Sequence, residues 1–230
     1  MKKIVVLTGA GISAESGIST FRDSDGLWEN HRVEDVANFD SWEKNPDLVR
    51  QFYNERRKQV LEVQPNEAHK QLTRLENDFD VTIITQNIDN LHERAGSKKI
   101  IHLHGEITKA CSVSDANEIY DIQGYELKAS DIDKNGQALR PFIVFFGEAV
   151  PMIEPAIKVC EQADILIIIG TSLVVYPASG LMHYCKKGCK KYLVDPKRPN
   201  ADLSGITFVQ EKASVGVKKV VEEILAKELE

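Results

Sequence analysis

No apolar run in this 230-residue sequence approaches the ~20 residues of a membrane-spanning helix, so a span is not expected. Basic residues are not in surplus: 29 Lys and Arg stand against 35 Asp and Glu, a net charge of -6. That balance argues against the broad cationic footprint of a nucleic-acid binder and leaves room for a local basic pocket. Cysteine is scarce. Cys111, Cys160, Cys185 and Cys189 form no CxxC pair, and two thiols four residues apart, such as Cys185 and Cys189, make a poor zinc site by themselves. Low-complexity linkers and internal repeats are also missing. Met1-Lys2-Lys3 precedes apolar Ile4 to Leu7, but that stretch is too short for a secretory leader and runs into a glycine-rich turn. The expectation is a cytoplasmic, monomeric protein with reduced thiols and with neither nucleic acid nor membrane among its partners.

With 42% hydrophobic and 28% charged residues, the chain has the composition of a globular protein of one α/β domain, with or without a smaller insertion. Strands are expected at 3–8, 81–85, 100–104, 141–146, 164–170 and 191–195. Helices are expected to open at 13–18 and to cover 40–44, 47–63, 66–76, 157–162 and 214–229. The unbroken run Ile165 to Ile169 suits a parallel strand buried on both faces. Residues 106–138 are polar and weakly periodic, as in a small inserted lobe. Strands alternating with helices give the expected fold class, a Rossmann-like doubly wound parallel sheet with a smaller inserted lobe.

The first strand feeds into Gly9-Ala10-Gly11-Ile12-Ser13-Ala14, a G-x-G-x-x-A turn. Gly9 permits the tight turn, Gly11 lets backbone approach a pyrophosphate, and Ala14 is small enough for close packing. Arg22 adds a fixed positive charge suited to phosphate, and the 12–28 segment suits a closing loop. Further polar groups follow later strands: Gln86-Asn87-Ile88-Asp89, Gly105-Glu106, Gly147-Glu148, Gly170-Thr171-Ser172 and Asp195. One sheet edge therefore collects them, where ligands of such folds bind. His104, near a strand end, is a candidate general base, although alone it reads better as a structural histidine. The 86–89 amides and carboxylate can satisfy a carboxamide ring, although alone they read better as a turn in which Asp89 caps the next helix.

Taken together, Gly9 to Ser13, Thr20-Phe21-Arg22, Thr85 to His92, His104-Gly105-Glu106, Phe146-Gly147-Glu148 and Gly170-Thr171-Ser172 resemble the sirtuin signature set in order and spacing. The resemblance implies an NAD-dependent protein-lysine deacylase that consumes NAD and yields nicotinamide, O-acyl-ADP-ribose and free lysine on acyl-lysine proteins or peptides. It implies one catalytic domain over 1–230, with a large lobe of about 1–26, 69–105 and 141–230 and a small lobe of about 27–68 and 106–140. It assigns NAD contacts to Gly9, Ala10, Gly11, Ser13, Ala14, Thr20, Phe21, Arg22, Trp28, Gln86, Asn87, Ile88, Asp89, Gly170, Thr171, Ser172, Asp195 and Ala213. His104 would be the catalytic base. Val144, Phe146, Gly147, Glu148, Val174 and Tyr176 would flank an extended peptide.

Two departures stand out. Many sirtuins hold structural zinc with two CxxC pairs. Here only Cys111 lies near such a position, so no metal site is expected, and Ile119, Tyr120, Ile122, Tyr125 and Leu127 are expected to pack the lobe. Asp195 stands where the family usually has Asn. In addition, Tyr53 and Arg56, three apart on a helix, resemble the Tyr-x-x-Arg element of sirtuins that remove succinyl and malonyl groups, with small Ala37 leaving room. A dehydrogenase shares the glycine turn, but no acidic residue closes a second strand about 20 residues on, where its ribose contact belongs. A protein ADP-ribosyltransferase, or an NAD-binding module without deacylase turnover, is the alternative reading.

Overall fold

The computed structural model describes residues 1–19 and 27–228. Thr20, Phe21 and Arg22, and with them part of the expected closing loop, lie outside these residues. In chain order the elements are β1 (Lys3–Thr8), β2 (Leu27–Trp28), β3 (His31–Arg32), α1 (Val33–Val36), α2 (Phe39–Lys44), α3 (Pro46–Glu62), α4 (Glu67–Leu75), β4 (Asp80–Thr85), α5 (Leu91–Ala95), β5 (Ile100–His102), β6 (Gly105–Ser112), β7 (Ile119–Asp121), β8 (Leu139–Ile143), α6 (Ile153–Cys160), β9 (Ile165–Ile169), β10 (Lys190–Val194), β11 (Ile206–Val209) and α7 (Ala213–Glu228), with 3-10 turns at Ala10–Ile12, Ala14–Ser16 and Ala178–His183. Among the described residues, no helix is long and apolar enough to cross a membrane.

Six strands form one parallel sheet in the order β11-β10-β9-β1-β4-β5. Numbered within the sheet, this is the doubly wound 3-2-1-4-5-6 arrangement, and the strand order reverses between β1 and β9. Side chains alternate across the pleat. Ile4, Val6, Ile83, Ile165, Ile167 and Ile169 pack on one face against Ala68, Leu72 and Leu75 of α4 and Val217, Val220, Val221 and Ile224 of α7. Val5, Leu7, Ile84, Leu166 and Ile168 pack on the other against Ala156 and Cys160 of α6 and Ala178, Leu181 and Met182. The central strands are thus covered on both sides, which is why they read as continuous apolar runs.

A separate antiparallel sheet, β7-β6-β8, is built from the two ends of the polar stretch and the residues that follow it. Its core is small: Ala110, Leu127 and Leu139, with Tyr120 and Ile122 against them. Ile119 and Tyr125, expected in that packing, are 45% and 49% exposed. Hydrogen bonds supply what hydrophobic area does not. Buried Asp133 accepts from Ser112 Oγ at 2.6 Å and from the amides of Asn135 and Gln137, each at 2.8 Å. Fully buried Arg57 of α3 donates to the carbonyls of Ile107 and Tyr125 and to Asn54 Oδ1. Asn54 in turn bonds both backbone groups of Leu127.

Four expected elements differ. Residues 13–18 do not open an α-helix; two 3-10 turns stop at Gly17, whose φ of +96° no continuing helix allows. The 100–104 strand ends at His102, because Gly105 at φ +83° redirects the chain into β6. The 141–146 strand is Leu139–Ile143, and Phe146 instead bridges Asn38. Helix α6 starts at Ile153, earlier than expected, since Pro155 is tolerated in a first turn.

Replacing Arg57 by Met should strand the Ile107 and Tyr125 carbonyls and take one of its two donors from Asn54 Oδ1. Urea unfolding should register a loss of about 3 kcal/mol.

Candidate functional site

The crevice lies where the strand order reverses. Beyond β1, the Gly9 amide donates to the Ile169 carbonyl at 3.0 Å, and the Gly11 amide to the Gly170 carbonyl at 2.9 Å. A Cβ on Gly11 would lie 2.6 Å from Gly170 Cα, so neither strand end tolerates a side chain there. Two backbones in contact, with no Cβ atoms at the carboxyl edge, leave room for the close approach of a dinucleotide's pyrophosphate. Ala14 does not supply the close packing expected of it; it is exposed, and the tight contact belongs to Gly9 and Gly11.

The segment after β4 meets this turn. Asn87 Nδ2 donates to Ser13 Oγ at 3.1 Å, and Ser13 Oγ donates to Asp89 Oδ2 at 2.9 Å. Asp89 Oδ1 also accepts the Leu91 amide at 3.1 Å, so the carboxylate caps α5 while it holds Ser13. Burial raises the Asp89 carboxyl above its ordinary range, against the bonds from Leu91 and Ser13. Gln86 Nε2 reaches Thr171 Oγ1 at 3.2 Å, joining this segment to the one after β9. Asn66, the cap of α4, fixes the glycine turn from behind by donating to the Ile12 carbonyl at 2.7 Å and to Ser16 Oγ at 3.0 Å.

His104 lies in the bend between β5 and β6. Its Nδ1 faces the Gln86 carbonyl at 3.0 Å, which assigns the proton to Nδ1 and leaves Nε2 with a lone pair. Burial lowers its pKa below the usual histidine value, so the ring is a free base at neutral pH. Asp195, buried at the end of β10, accepts the Lys197 amide at 2.9 Å, and Ala213 is buried where α7 begins.

A buried aromatic cluster gathers around α3. Trp28, Phe52, Tyr53 and Phe145 form an edge-to-face aromatic cluster with centroids 4.9 to 6.2 Å apart. Burial, then Glu148, holds the Tyr53 phenol well above its ordinary pKa. The Arg56 guanidinium lies over the Phe52 ring at 5.1 Å, and its Nε and Nη1 are buried without a partner among the described residues. Buried Ala37 gives its carbonyl to the Phe146 amide at 2.8 Å, and the Phe146 carbonyl accepts from the Phe39 amide. Glu148 is held by Arg140 at 2.8 Å and by the Phe145 amide at 2.8 Å. Val174 and Tyr176 are 73% and 79% exposed.

Residues 9–177 match the Sir2 family. The chain belongs to the Sir2 family. Among its relatives, the NAD-dependent protein deacylase of Bacteroides thetaiotaomicron is 55% identical over 226 residues, covering 96% of this chain and 97% of that one. The NAD-dependent protein deacylase of Helicobacter pylori is 54% identical, covering 88% of each chain. A Sir2 homolog in complex with NAD superposes with a TM-score of 0.89 at 37% identity, covering 100% of this chain and 91% of that one. A Sir2 protein bound to a deacetylated p53 peptide and 3'-O-acetyl ADP-ribose superposes with a TM-score of 0.82 at 33% identity, covering 96% and 92%.

Sequence reasoning missed the polar floor of this Sir2 site. Thr8 Oγ1 donates to Thr85 Oγ1 at 2.9 Å and meets His92 Nε2 at 3.1 Å. Behind it, fully buried His69 and His92 pack edge to face at 4.9 Å. Both His69 nitrogens and His92 Nδ1 have no partner among the described residues. Burial pulls His69 down to about 4 and His92 well below its ordinary value, so both are neutral. Spacing gives no signal for this pair, since both residues fall in ordinary helical segments.

An unfolded histidine titrates near 6.5, so the unfolded chain takes up protons first as pH falls. The contribution of neutral His69 is complete above about pH 6.5 and is lost towards its folded value of about 4, on the order of 3 kcal/mol. Urea unfolding at stepped pH should show that decline, and His69→Phe should make it shallower.

Proposed function

We propose that this Sir2 protein removes acetyl, and also succinyl and malonyl, groups from protein lysines at the expense of NAD. NAD-dependent protein deacylation is the activity of its relatives at 50–55% identity over nearly the whole chain. NAD is a co-substrate that, when bound, supplies the anomeric carbon and loses nicotinamide. In this reading Gly9 to Ala14, with Thr20 to Arg22, Trp28, Gly170, Thr171, Ser172, Asp195 and Ala213, hold the dinucleotide, and Gln86 to Asp89 surround its nicotinamide end. In the same reading the chain divides into a large lobe of about 1–26, 69–105 and 141–230 and a small lobe of about 27–68 and 106–140.

His104 acts as the base. Its Nε2 accepts the proton of a ribose hydroxyl, and the Gln86 carbonyl steadies the imidazolium that forms by accepting from Nδ1. Val144 to Glu148 and Val174 to Tyr176 receive an extended acyl-lysine peptide as an added strand.

The observation that carries the acidic-acyl reading is the Arg56 guanidinium, one turn along α3 from Tyr53, with two buried donors that lack partners among the described residues. Desolvated donors of this kind gain most from a charged acceptor. The distal carboxylate of a succinyl or malonyl chain is one, and an acetyl group has none.

With acetyl, malonyl and succinyl peptides in parallel, Arg56→Met should cut kcat/KM for the acidic acyl groups by about a hundredfold and for acetyl by only a few-fold. Equal losses would remove the acyl assignment. Replacing His104 by Tyr should reduce turnover by at least about a hundredfold. In the parent enzyme, kcat/KM should hold through neutral pH and fall only below the usual histidine value, as His104 gains its proton.

A further inference from the structure

His102 and His104 reach back to successive carbonyls of the loop after β4. His104 Nδ1 lies 3.0 Å from the Gln86 oxygen and His102 Nδ1 lies 3.2 Å from the Asn87 oxygen. Their second nitrogens differ. His104 Nε2 bonds to no other described residue, whereas His102 Nε2 faces Glu93 Oε1 of α5 at 2.7 Å. A carbonyl and a carboxylate are acceptors only. Both are satisfied at once only when both His102 ring nitrogens carry hydrogen, that is, as imidazolium.

Asn87 shows what that cation holds. Its amide donates to Thr85 Oγ1 at 3.0 Å, its Nδ2 donates to Ser13 Oγ, and its carbonyl accepts from His102. Only Oδ1 and the second Nδ2 hydrogen remain uncommitted among the described residues.

We propose that His102, as an imidazolium braced by Glu93, is a positioning residue that fixes the Asn87 carbonyl and so presents the Asn87–Asp89 segment to the nicotinamide end of NAD. This rests on the assignment of that segment to nicotinamide. The charged groups around the ring are consistent with it. Glu93 comes from α5, Glu106 from β6 and Asp89 from the loop itself, while Lys109 is tied to Glu106 at 2.8 Å. Burial lowers the His102 pKa, but the Glu93 hydrogen bond and charge, with Glu106, outweigh it and raise the pKa above the usual value. Two histidines two residues apart thus hold opposite protonation states, one a free base and one a fixed cation.

The test is calorimetric NAD binding together with steady-state kinetics on the full chain. His102→Gln should weaken NAD binding, raise KM for NAD and weaken nicotinamide inhibition, each by about tenfold, with KM for the acyl peptide unchanged. Glu93→Gln should bind NAD as the parent does at about pH 6 but lose affinity at a lower pH than the parent on going alkaline, because the imidazolium has lost its counter-charge. Lys109→Gln should match the parent. Unchanged NAD affinity in His102→Gln would overturn the proposal. So would equal losses for NAD and peptide that track a lower melting temperature. NAD calorimetry needs no turnover, so a chain that binds NAD but deacylates nothing would sink the deacylase reading and leave the His102 result intact.

Discussion

The backbones of Gly11 and Gly170 touch, and much of the rest of the site follows from that contact. The hydrogen bond between them closes the gap at the reversal of strand order. It is possible only because neither residue has a Cβ. The contact sets the turn after β1 low over the sheet, which brings Ser13 within reach of Asn87 and Asp89. The segment after β4 is thereby fixed in turn, and both histidines of the 102–104 stretch take their orientation from its carbonyls. A side chain at either glycine would therefore displace more than one turn; it would separate the two halves of the crevice.

Electrostatics then divides the labour among residues of one type. His104 is half-buried beside a single acceptor and stays a neutral base. His102 sits between a carbonyl and carboxylates and is held as a cation. His69 and His92, in the floor, have too few partners to bear charge at all. Arg56 is the converse case, a guanidinium whose Nη2 reaches Glu55 at 3.9 Å while Nε and Nη1 are buried without a partner among the described residues. Each state follows from the acceptors within reach rather than from exposure alone.

Much of the architecture was legible because the central strands are buried on both faces and read as apolar runs, and because the glycine turn has one physical use in that setting. The small lobe was legible only as a region of weak pattern. Its three strands share a core of a few residues, so little hydrophobic periodicity was available to read, and its stability comes from Asp133, Arg57 and Asn54, which resemble surface residues in sequence. Strand β11 was missed for a related reason: Ile206 to Val209 is short and follows a turn-rich stretch. The 86–89 segment could be assigned only by its resemblance to a family. In space, the same residues are pinned by Ser13 and His102, partners that lie far from them along the chain.

The central claim is that this crevice splits NAD and transfers an acyl group from lysine. Product analysis on the purified full chain, incubated with NAD and an acyl-lysine peptide, tests it most directly. The account predicts nicotinamide, O-acyl-ADP-ribose and free-lysine peptide in equal amounts. Formation of NADH, or ADP-ribose attached to protein with the acyl-lysine left intact, would contradict it.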